Sequence, residues 1–556
     1  MAGLARRGSM PSDTHTPEDG ARYRRDGWWR DRTLLDDFLA TVAARPDKVA
    51  IVAHREGRTL PEVVSYGQLG AYVDRCARAM IELGVQPGDV VSIQLPNGWQ
   101  FPVVALATMR AGAIPNPIPP IYREFEVGKM VRHAESKLLV VPASFRGFSH
   151  EALAVRLQAE VPTLAHAVVV GATDPAAVDF ESIMLDPARD PDAAAKAALD
   201  ALRPGADDPA VLLFTSGTTG TPKAAVHTHN SLWSAGFALP DSIGLTPEDV
   251  CFMASTMGHL TGFYWGMALP LAQGQKVVYQ DVWNARQLIE LIGLEQISWT
   301  LSATPFALDL VEMRKQSPRD ISSFRSFVCG GAPIPPHVAA EVKAQLGCDL
   351  ISLWGCTEVG ICTIHRPGAS VETLAASDGM PVRQMELRIV DEDGAPVADG
   401  EDGALHVRGP GIFAGYLKQP ELTADLRTDD NWYDTGDRGR RTPDGGIRIS
   451  GRTKDIIIRG GQNIPVVEIE NELILMPEVR EVAVIGVPDD RLGERGCAVI
   501  APEGAAPTLA DLCKRLEASG MAKQFWPERI EIVDALPRTP AGKIQKFVLR
   551  ERFAKA

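Results

Sequence analysis

The sequence predicts an α/β protein with a large N-terminal domain of mostly parallel sheets flanked by helices. The prediction includes a small β subdomain within it and a small α+β C-terminal domain. Short apolar strands alternate with helical patterns over the first third of the 556 residues, which is typical of βαβ units and a parallel sheet. Turn dipeptides such as Asp393-Gly394 and Asp444-Gly445 then separate short strands. The mixed α+β segment beyond Arg452 spans about 100 residues, which suits a separate domain.

The N-terminal elements follow local signals. Thr33 precedes an apolar stripe of helical period, so it is a predicted helix cap. Ser65 and Gln68 form a capping box that begins a second helix. A third helix is predicted at 100–110, and residues 186–208 suit a surface helix or loop. Strands are predicted at residues 48–53, 89–95, 138–141, 167–170 and 211–214.

The second half changes character at about residue 386. Strands of a β subdomain at about 386–450 are predicted at 387–390, 404–408 and 446–450. The C-terminal pattern is strand 456–459, helix 466–475, strand 482–487, helix 509–518 and strand 530–533. The predicted domains are a disordered leader at 1–30, an N-terminal domain at 31–451 and a C-terminal domain at 452–556.

Composition and charge argue against several classes of protein. Lys and Arg number 57 against 71 Asp and Glu, and the net charge of −14 disfavours a nucleic-acid binder. The first thirty residues lack the apolar core of a secretory signal. Eight scattered cysteines without a CxxC pair indicate free thiols, so a cytoplasmic protein is expected.

One apolar stretch is long enough to suggest a membrane span. Residues 251–274 contain no charged side chain and reach the roughly 20 residues that a span needs. Thr261, Pro270 and Gln273 interrupt the stretch. A buried core segment or pocket wall is therefore predicted, and no transmembrane segment.

A loop of hydroxyls and glycines carries the most specific signal. It follows a predicted strand and ends in a lysine. Glycines let backbone N–H groups approach phosphate oxygens, while hydroxyls and a cation add donors. The Walker A spacing is absent, which disfavours a P-loop kinase or GTPase. The candidate phosphate-binding residues are Thr215, Ser216, Gly217, Thr218, Thr219, Gly220 and Lys223.

Further motifs follow in a fixed order. They are Phe-Val-Cys-Gly-Gly-Ala-Pro at 327–333, Leu-Trp-Gly-Cys-Thr-Glu at 353–358, Trp-Tyr-Asp-Thr-Gly-Asp at 432–437, Gly-Arg-Thr-Lys-Asp at 451–455, Arg-Gly-Gly-Gln-Asn-Ile at 459–464 and Pro-Arg-Thr-Pro-Ala-Gly-Lys at 537–543. With these motifs the chain resembles the adenylate-forming enzymes, which include acyl-CoA synthetases, aryl-acid ligases and luciferases. The resemblance covers about residues 35–550. Trp354 stands where that family usually has Tyr, and Cys356 where it often has Met.

The resemblance implies binding roles for the motif residues. Mg²⁺ prefers oxygen ligands and is usually held by one or two carboxylates with substrate phosphates, so Glu358 is the predicted metal ligand. Thr357 is expected at the α-phosphate and Asp437 at the ribose. Further residues are implied along the nucleotide, with Trp354 stacked on the adenine and Arg452 at the domain junction. The full set is Gly330, Gly331, Ala332, Pro333, Trp354, Gly355, Cys356 and Arg452.

The remaining implied roles concern catalysis of adenylation and the later transfer of the acyl group to a thiol. Lys543 resembles the family's catalytic lysine, whose ammonium would stabilise charge in adenylation. Lys454 lies at the implied hinge of a mobile C-terminal domain. Gly460 and Gly461 resemble the loop that approaches the pantetheine arm, and His259 is implied near the acyl group and thiol entry.

The implied activity uses ATP, Mg²⁺ and coenzyme A. A carboxylic acid becomes an acyl-adenylate, pyrophosphate leaves, and the acyl group passes to a thiol. No carrier-domain motif follows Lys543, so the expected acceptor is external CoA, with a separate carrier protein as the alternative. A non-catalytic nucleotide binder is the alternative of another class. A homodimer is left open.

Two short segments indicate the class of carboxylic acid that is the substrate. Residues 95–101 and 116–120 are similar to segments of cyclohexanecarboxylate-CoA ligases and dihydroxybenzoate-activating enzymes. The expected substrate is therefore an alicyclic, aromatic or medium-chain acid, with a cyclic acid favoured over a long fatty acid.

Overall fold

A computed structural model describes residues 14–215, 223–331, 334, 336–452, 457–459, 462–464, 466–489, 493–519, 521, 523–539 and 542–554. Within these residues the chain forms the predicted α/β architecture, with a large N-terminal domain and a smaller C-terminal one. The predicted fold class is confirmed.

A mixed sheet forms the centre of the large domain. Its strands in spatial order are Met380–Pro381, Gly360–Ile364, Asp349–Cys356, Ser326–Cys329, Trp299–Ser302, Val250–Met253, Lys276–Gln280, Val49–His54 and Glu62–Ser65. The six strands from Asp349–Cys356 to Val49–His54 are parallel, and the edge strands are antiparallel. Alternate side chains enter different cores: Ile51 and Met253 face one, Val52 and Phe252 the other. Both faces are therefore covered, as parallel sheets require.

A second sheet of the same domain is wholly parallel. Its strands in spatial order are Ile114–Pro117, Val90–Ile93, Leu138–Pro142, His166–Val170 and Val178–Asp179. A two-stranded antiparallel ribbon, Ser144–Phe145 and Phe148–Ser149, follows the strand Leu138–Pro142 in the sequence.

One predicted strand departs from the parallel pattern. Pro209–Thr215 pairs antiparallel with Lys223–Thr228, which in turn pairs antiparallel with Gly415–Tyr416. The segment is a hairpin rather than part of a βαβ unit. The antiparallel return places the two ends of the hydroxyl-rich loop, Thr215 and Lys223, opposite each other.

The β subdomain is an antiparallel sheet. Its strands are Glu386–Val390, Gly403–Arg408, Tyr433–Arg441 and Ile447–Arg452. The predicted strands 387–390 and 404–408 lie within its first two strands, and the predicted strand 446–450 overlaps Ile447–Arg452.

The C-terminal domain has its own sheet and core. The strands are Gln462–Ile464, Ile457–Arg459, Gly493–Pro502, Val479–Asp489 and Arg529–Ile532, of which the last runs parallel to Gly493–Pro502. Ile469, Val484 and Leu512 belong to one buried cluster, and Ile485, Val499 and Leu549 to another on the opposite side of the strands.

Helices cover the sheets, and several begin where the sequence predicted. Thr33 and Ser65 each form the complete capping box. The helices are Pro17–Arg25, Leu34–Ala44, Tyr66–Glu82, Gln100–Arg110, Glu124–His133, His150–Glu160, Ala193–Ala201, His229–Ile243, Leu269–Ala272, Ala285–Glu295, Thr304–Gln316, Pro336–Glu341, Val371–Ala376, Pro420–Asp425, Val466–Leu473, Leu509–Ala518 and Lys546–Phe553. Short π-helical segments are Phe180–Met184, Thr261–Ala268 and Val342–Leu346, and 3-10 turns are Pro187–Arg189 and Lys523–Phe525.

The predicted disordered leader is wrong for residues 14–30. Thr16 caps the helix Pro17–Arg25 through a capping box with Asp19. Side chains of the segment then bond to a distant backbone: Trp29 Nε1 donates to the Pro410 carbonyl at 3.0 Å and His15 Nε2 to the Ile412 carbonyl at 3.0 Å. These long-range contacts order a polar segment that has little apolar pattern of its own.

The apolar stretch 251–274 is buried in the large domain. It begins in the strand Val250–Met253 and ends with the helix Leu269–Ala272, whose residues are buried. Across the part of the chain that is described, no helix combines the length and apolar character that crossing a bilayer demands.

Candidate active site

The carboxyl ends of two parallel strands define the centre of the candidate site. Cys329 of Ser326–Cys329 lies opposite Ser352 of Asp349–Cys356. Gly330 and Gly331 continue the first strand, and Thr357 and Glu358 continue the second. Because ligands in open α/β sheets bind beyond the carboxyl ends of the strands, the geometry favours a site here.

Glu358 is fixed by the segment that pairs with the second strand of the β hairpin. The Tyr416 hydroxyl donates to Glu358 Oε1 at 2.7 Å, and the Phe413 N–H donates to the Glu358 carbonyl at 2.8 Å. Tyr416 is almost fully buried. Burial, together with the negative charge of Glu358, raises the pKa of Tyr416 far above its usual value, so the hydroxyl remains a donor. One carboxylate oxygen is thereby held in place.

Thr357 is fixed by a buried histidine. His227 Nε2 lies 2.7 Å from the Thr357 carbonyl, and Nδ1 lies 3.0 Å from Ser231 Oγ. Burial lowers the pKa of His227 to about 4, so the ring is neutral near pH 7 and its Nε2–H donates to the carbonyl. The pair Thr357–Glu358 therefore has backbone anchors on both residues.

Asp437 joins the β subdomain to this centre. Its side chain is 5% exposed, and Trp354 Nε1 donates to Asp437 Oδ2 at 3.1 Å. Asp437 is also the register partner of Arg452 on the neighbouring strand. Cys356 lies near both carboxylates: burial and then the charges of Glu358 and Asp437 raise the pKa of its thiol well above the usual range, so the thiol stays neutral.

The hairpin brings the two residues that flank the predicted phosphate-binding loop close to Tyr416 and so to Glu358. Thr215 and Lys223, which flank the loop, are register partners. Lys223 Nζ lies 5.9 Å from the centre of the Tyr416 ring. The lysine of the loop motif and the predicted metal ligand thus share Tyr416 as a neighbour.

Lys543 reaches the centre from the C-terminal domain. A Cβ added to Gly331 would lie 3.7 Å from Lys543 Cε. Gly331 has φ +84°, a left-handed backbone that favours glycine. Burial and then the positive charge of Lys543 lower the pKa of His259 to about 4. Lys543 therefore lies near Gly331 and close enough to His259 to act on its charge, although the three residues are far apart in the sequence.

The sequence matches two family descriptions in tandem. Residues 38–417 match "AMP-binding enzyme", and residues 468–543 match "AMP-binding enzyme C-terminal domain". The chain belongs to the AMP-binding enzyme family.

Named relatives fall into two groups. The medium-chain fatty-acid–CoA ligase of Escherichia coli K12 is 33% identical over 543 residues, which cover 97% of this chain and 93% of that protein. The 2,3-dihydroxybenzoate-AMP ligase of Bacillus subtilis is 31% identical over 542 residues, 96% of each chain. The salicyl-AMP ligase / salicyl-S-ArCP synthetase of Mycobacterium tuberculosis is 34% identical, covering 95% of this chain and 92% of that one.

Solved structures show the same architecture. ATP-bound MatB from Rhodopseudomonas palustris superposes with a TM-score of 0.81 at 28% identity, covering 94% of this chain and 99% of that one. The anthranilate CoA ligase AuaEII in complex with anthranoyl-AMP superposes with a TM-score of 0.82 at 25% identity, covering 94% and 97%. The resemblance to adenylate-forming enzymes is confirmed.

Part of this AMP-binding enzyme's predicted site lies outside the described residues. That part comprises Ser216, Gly217, Thr218, Thr219, Gly220, Ala332, Pro333, Lys454, Gly460 and Gly461, together with the side chain of Arg452. The roles predicted for these residues stay predictions.

Sequence reasoning missed His227, Phe413 and Tyr416. His227 lies four residues after the loop lysine, and Tyr416 lies in an unremarkable Gly-Tyr-Leu stretch. Their importance comes from the hairpin pairing, which places Ala225 opposite Tyr416. The one signal in the sequence was His227 itself, a residue able to form hydrogen bonds on the strand that follows the loop.

Proposed function

We propose that this chain joins a carboxylic acid to AMP at the expense of ATP and then transfers the acyl group to coenzyme A. The observation that carries the proposal is the approach of Lys543 to Gly331 and His259, at the end of the strand that neighbours the one leading into the anchored Thr357–Glu358 pair. An ammonium at this point can stabilise the negative charge that builds as a carboxylate attacks the α-phosphorus. Membership of an adenylate-forming family supports the same chemistry.

The donor set near Glu358 fits Mg²⁺. Oε1 accepts from Tyr416, which leaves the second oxygen for a cation. Among the described residues no cluster of three or more His, Cys, Asp or Glu could hold a metal alone. Mg²⁺ is typically held by one or two carboxylates with substrate phosphates, so a single anchored Glu is sufficient. When bound, the ion would neutralise phosphate charge.

The protein's own residues supply orientation. His227 and Phe413 fix the backbone of Thr357 and Glu358, so that the threonine and the carboxylate present constant geometry to the phosphates. The buried carboxylate of Asp437 suits the vicinal hydroxyls of a ribose. Positioning of this kind can supply a large part of the rate enhancement of a phosphoryl-type transfer.

The second step needs space that Lys543 occupies. A thiol must approach the acyl carbonyl where the lysine lies near Gly331 and His259. We infer that the C-terminal domain rotates about Lys454 and brings Gly460 and Gly461 toward the pantetheine arm, a domain-closure motion. Lys454→Pro, which fixes φ, should then slow thioester formation selectively.

The acceptor is tested by product analysis. The enzyme is incubated with acid, MgATP and either CoA or a stand-alone aryl carrier protein, and the thioesters are identified by mass spectrometry. Acyl-CoA as the dominant product supports the proposal. Carrier loading without acyl-CoA would instead support the alternative, the activity named for the Mycobacterium tuberculosis relative.

A cyclic acid is the proposed substrate class. Relatives are named for salicylate and 2,3-dihydroxybenzoate, but also for medium-chain fatty acids. Pyrophosphate release with cyclohexanecarboxylate, benzoate, 2,3-dihydroxybenzoate and octanoate separates the classes. Highest kcat/KM with a cyclic acid is expected, and preference for octanoate would overturn this choice.

A further inference from the structure

Residues 14–29, here called the N-terminal strap, lie against residues 410–413, the segment whose backbone contacts Glu358. Three carbonyl groups of that segment accept hydrogen bonds from side chains of the strap. Trp29 Nε1 donates to Pro410, His15 Nε2 to Ile412 and the Thr14 hydroxyl to Phe413. The strap therefore holds the segment at both of its ends.

The strap has a small aromatic core of its own. The rings of His15, Tyr23 and Trp29 meet edge to face, with centroids 5.1–5.5 Å apart. Tyr23 and Trp29 are almost fully buried. Edge-to-face pairs stabilise beyond the area that they bury. The Arg427 guanidinium also donates to the Thr14 carbonyl. The donors of the strap are thereby held in fixed positions.

Phe413 joins the strap to Glu358. Its carbonyl accepts from the Thr14 hydroxyl, and its N–H donates to the Glu358 carbonyl at 2.8 Å. Its fully buried ring lies 4.9 Å between centroids from Tyr416, whose hydroxyl donates to Glu358 Oε1. One residue thus contacts the strap on one side and the main chain of the predicted metal ligand on the other.

The segment 410–413 is also closely packed against the turn that carries Glu358. A Cβ on Gly411 would lie 3.2 Å from the Val359 carbonyl oxygen and 3.0 Å from the Cα of Ala235. Close-packed interiors transmit displacements from one group to the next. A shift of the segment would therefore be passed on to residues 358–359.

We propose that the N-terminal strap is a positioning element for adenylation: it holds residues 410–413 in place, and Phe413 thereby keeps Glu358 aligned with Mg²⁺ and the phosphates of ATP. The inference rests on the proposed function, because it needs MgATP at Glu358. Thr14 and Trp29 bond to carbonyls of the segment, so they act on the site through Phe413.

Thr14→Val tests this route, because it removes the hydroxyl and keeps a branched side chain of similar size. Loss of a neutral hydrogen bond predicts about a threefold rise in the Mg²⁺ concentration for half-maximal ATP–pyrophosphate exchange. The kcat at saturating Mg²⁺ should stay within about twofold. Hydrogen exchange followed by mass spectrometry gives a readout that does not depend on activity. The peptide containing the Phe413 amide should exchange about threefold faster. Thr14→Ser, which keeps the hydroxyl, should retain both wild-type values.

Ser234→Ala is the matched control. The Ser234 hydroxyl donates to the Trp28 carbonyl at 2.6 Å. This is the same type of bond to the strap, but its other end lies on the helix His229–Ile243 instead of the segment 410–413. The variant should keep the wild-type Mg²⁺ midpoint and Phe413 exchange even if its melting temperature falls. A purely stabilising strap would give one pattern in both variants: lower stability and an unchanged midpoint.

The outcomes are distinguishable. A raised midpoint with faster Phe413 exchange in Thr14→Val alone supports the inference. An unchanged midpoint in Thr14→Val overturns it, and an equal rise in Ser234→Ala overturns the route through Phe413. If Thr14→Val does not fold, Trp29→Phe replaces it, because it removes the N–H to Pro410 and keeps an aromatic ring; an unchanged midpoint there overturns the inference. A wild-type protein without acid-dependent exchange would refute the proposed function itself, while hydrogen exchange at Phe413 would still report on the strap.

Discussion

Removing the hydroxyl that holds Glu358 should weaken the affinity for Mg²⁺ in the first step, the formation of the acyl-adenylate. Tyr416→Phe deletes one oxygen from a buried side chain and leaves the ring packed against Phe413, 4.9 Å away between centroids. Glu358 Oε1 then loses its 2.7 Å donor. The carboxylate can rotate away from the phosphates, although its main chain remains bonded to Phe413.

The magnitude follows from the type of bond. A hydrogen bond to a charged group is worth about 1.5–3 kcal/mol. Partners that orient a metal ligand typically change metal affinity by about 10- to 100-fold when removed. The two ranges agree, since about 1.4 kcal/mol corresponds to a tenfold change. The Mg²⁺ concentration for half-maximal rate should therefore rise by about 10- to 100-fold.

The assay is acid-dependent ATP–pyrophosphate exchange across a Mg²⁺ titration at saturating ATP. Tyr66→Phe is the control, because its buried hydroxyl donates to the Gln275 carbonyl at 2.6 Å, away from Glu358. The control should lower thermal stability without moving the Mg²⁺ midpoint. If Tyr416→Phe keeps the wild-type midpoint, the account of Glu358 as an oriented metal ligand is refuted.

Two further predictions concern stability. Trp29→Ala removes a buried aromatic side chain and its hydrogen bond to the Pro410 carbonyl. Urea denaturation should therefore show a loss of about 3–5 kcal/mol in the free energy of unfolding. Unchanged stability would mean that residues 14–30 do not pack on the large domain in solution. His150 donates from Nδ1 to Gln94 Oε1 at 3.2 Å, and burial, followed by the positive charge of Arg123, lowers its pKa to about 4. The unfolded chain binds this proton near pH 6.5, so the contribution of His150 is complete above pH 6.5 and is lost as the pH falls toward 4. The drop in unfolding free energy between pH 7.5 and 5.0 should be smaller in His150→Gln than in the wild type, and equal drops would contradict the assignment.

Local signals were sufficient for much of the fold. The capping boxes at Thr33 and Ser65 formed as predicted, and the helices Gln100–Arg110 and Leu509–Ala518 have the predicted bounds. In each case the cap and the apolar stripe lie within one stretch of chain. The information that decides the structure is then present locally.

Long-range pairing explains what local signals missed. Residues 14–30 are polar, and their order depends on carbonyls at Pro410 and Ile412, nearly 400 residues away. The strand ending at Thr215 has an ordinary apolar pattern, and only its partner Lys223–Thr228 makes it antiparallel. Neither partner can be identified from the segment alone.

The candidate site divides in the same way. Glu358, Asp437 and Lys543 stand in motifs, so their chemistry could be predicted from residue type and order. Trp354 was expected to stack on adenine, and the structure adds a bond to Asp437 that the motif does not encode. Tyr416 and His227 act through distances that only the assembled sheets create.

The most direct test of the account compares the wild type with Lys543→Ala in both half-reactions. The wild type should catalyse ATP–pyrophosphate exchange only when a carboxylic acid is present. Lys543→Ala should lose about 100-fold or more of that exchange, yet still convert supplied acyl-adenylate and CoA to the thioester. Equal loss of both half-reactions, or no exchange by the wild type with any acid of the panel, would contradict the claim that Lys543 and the Thr357–Glu358 pair act on one bound ATP.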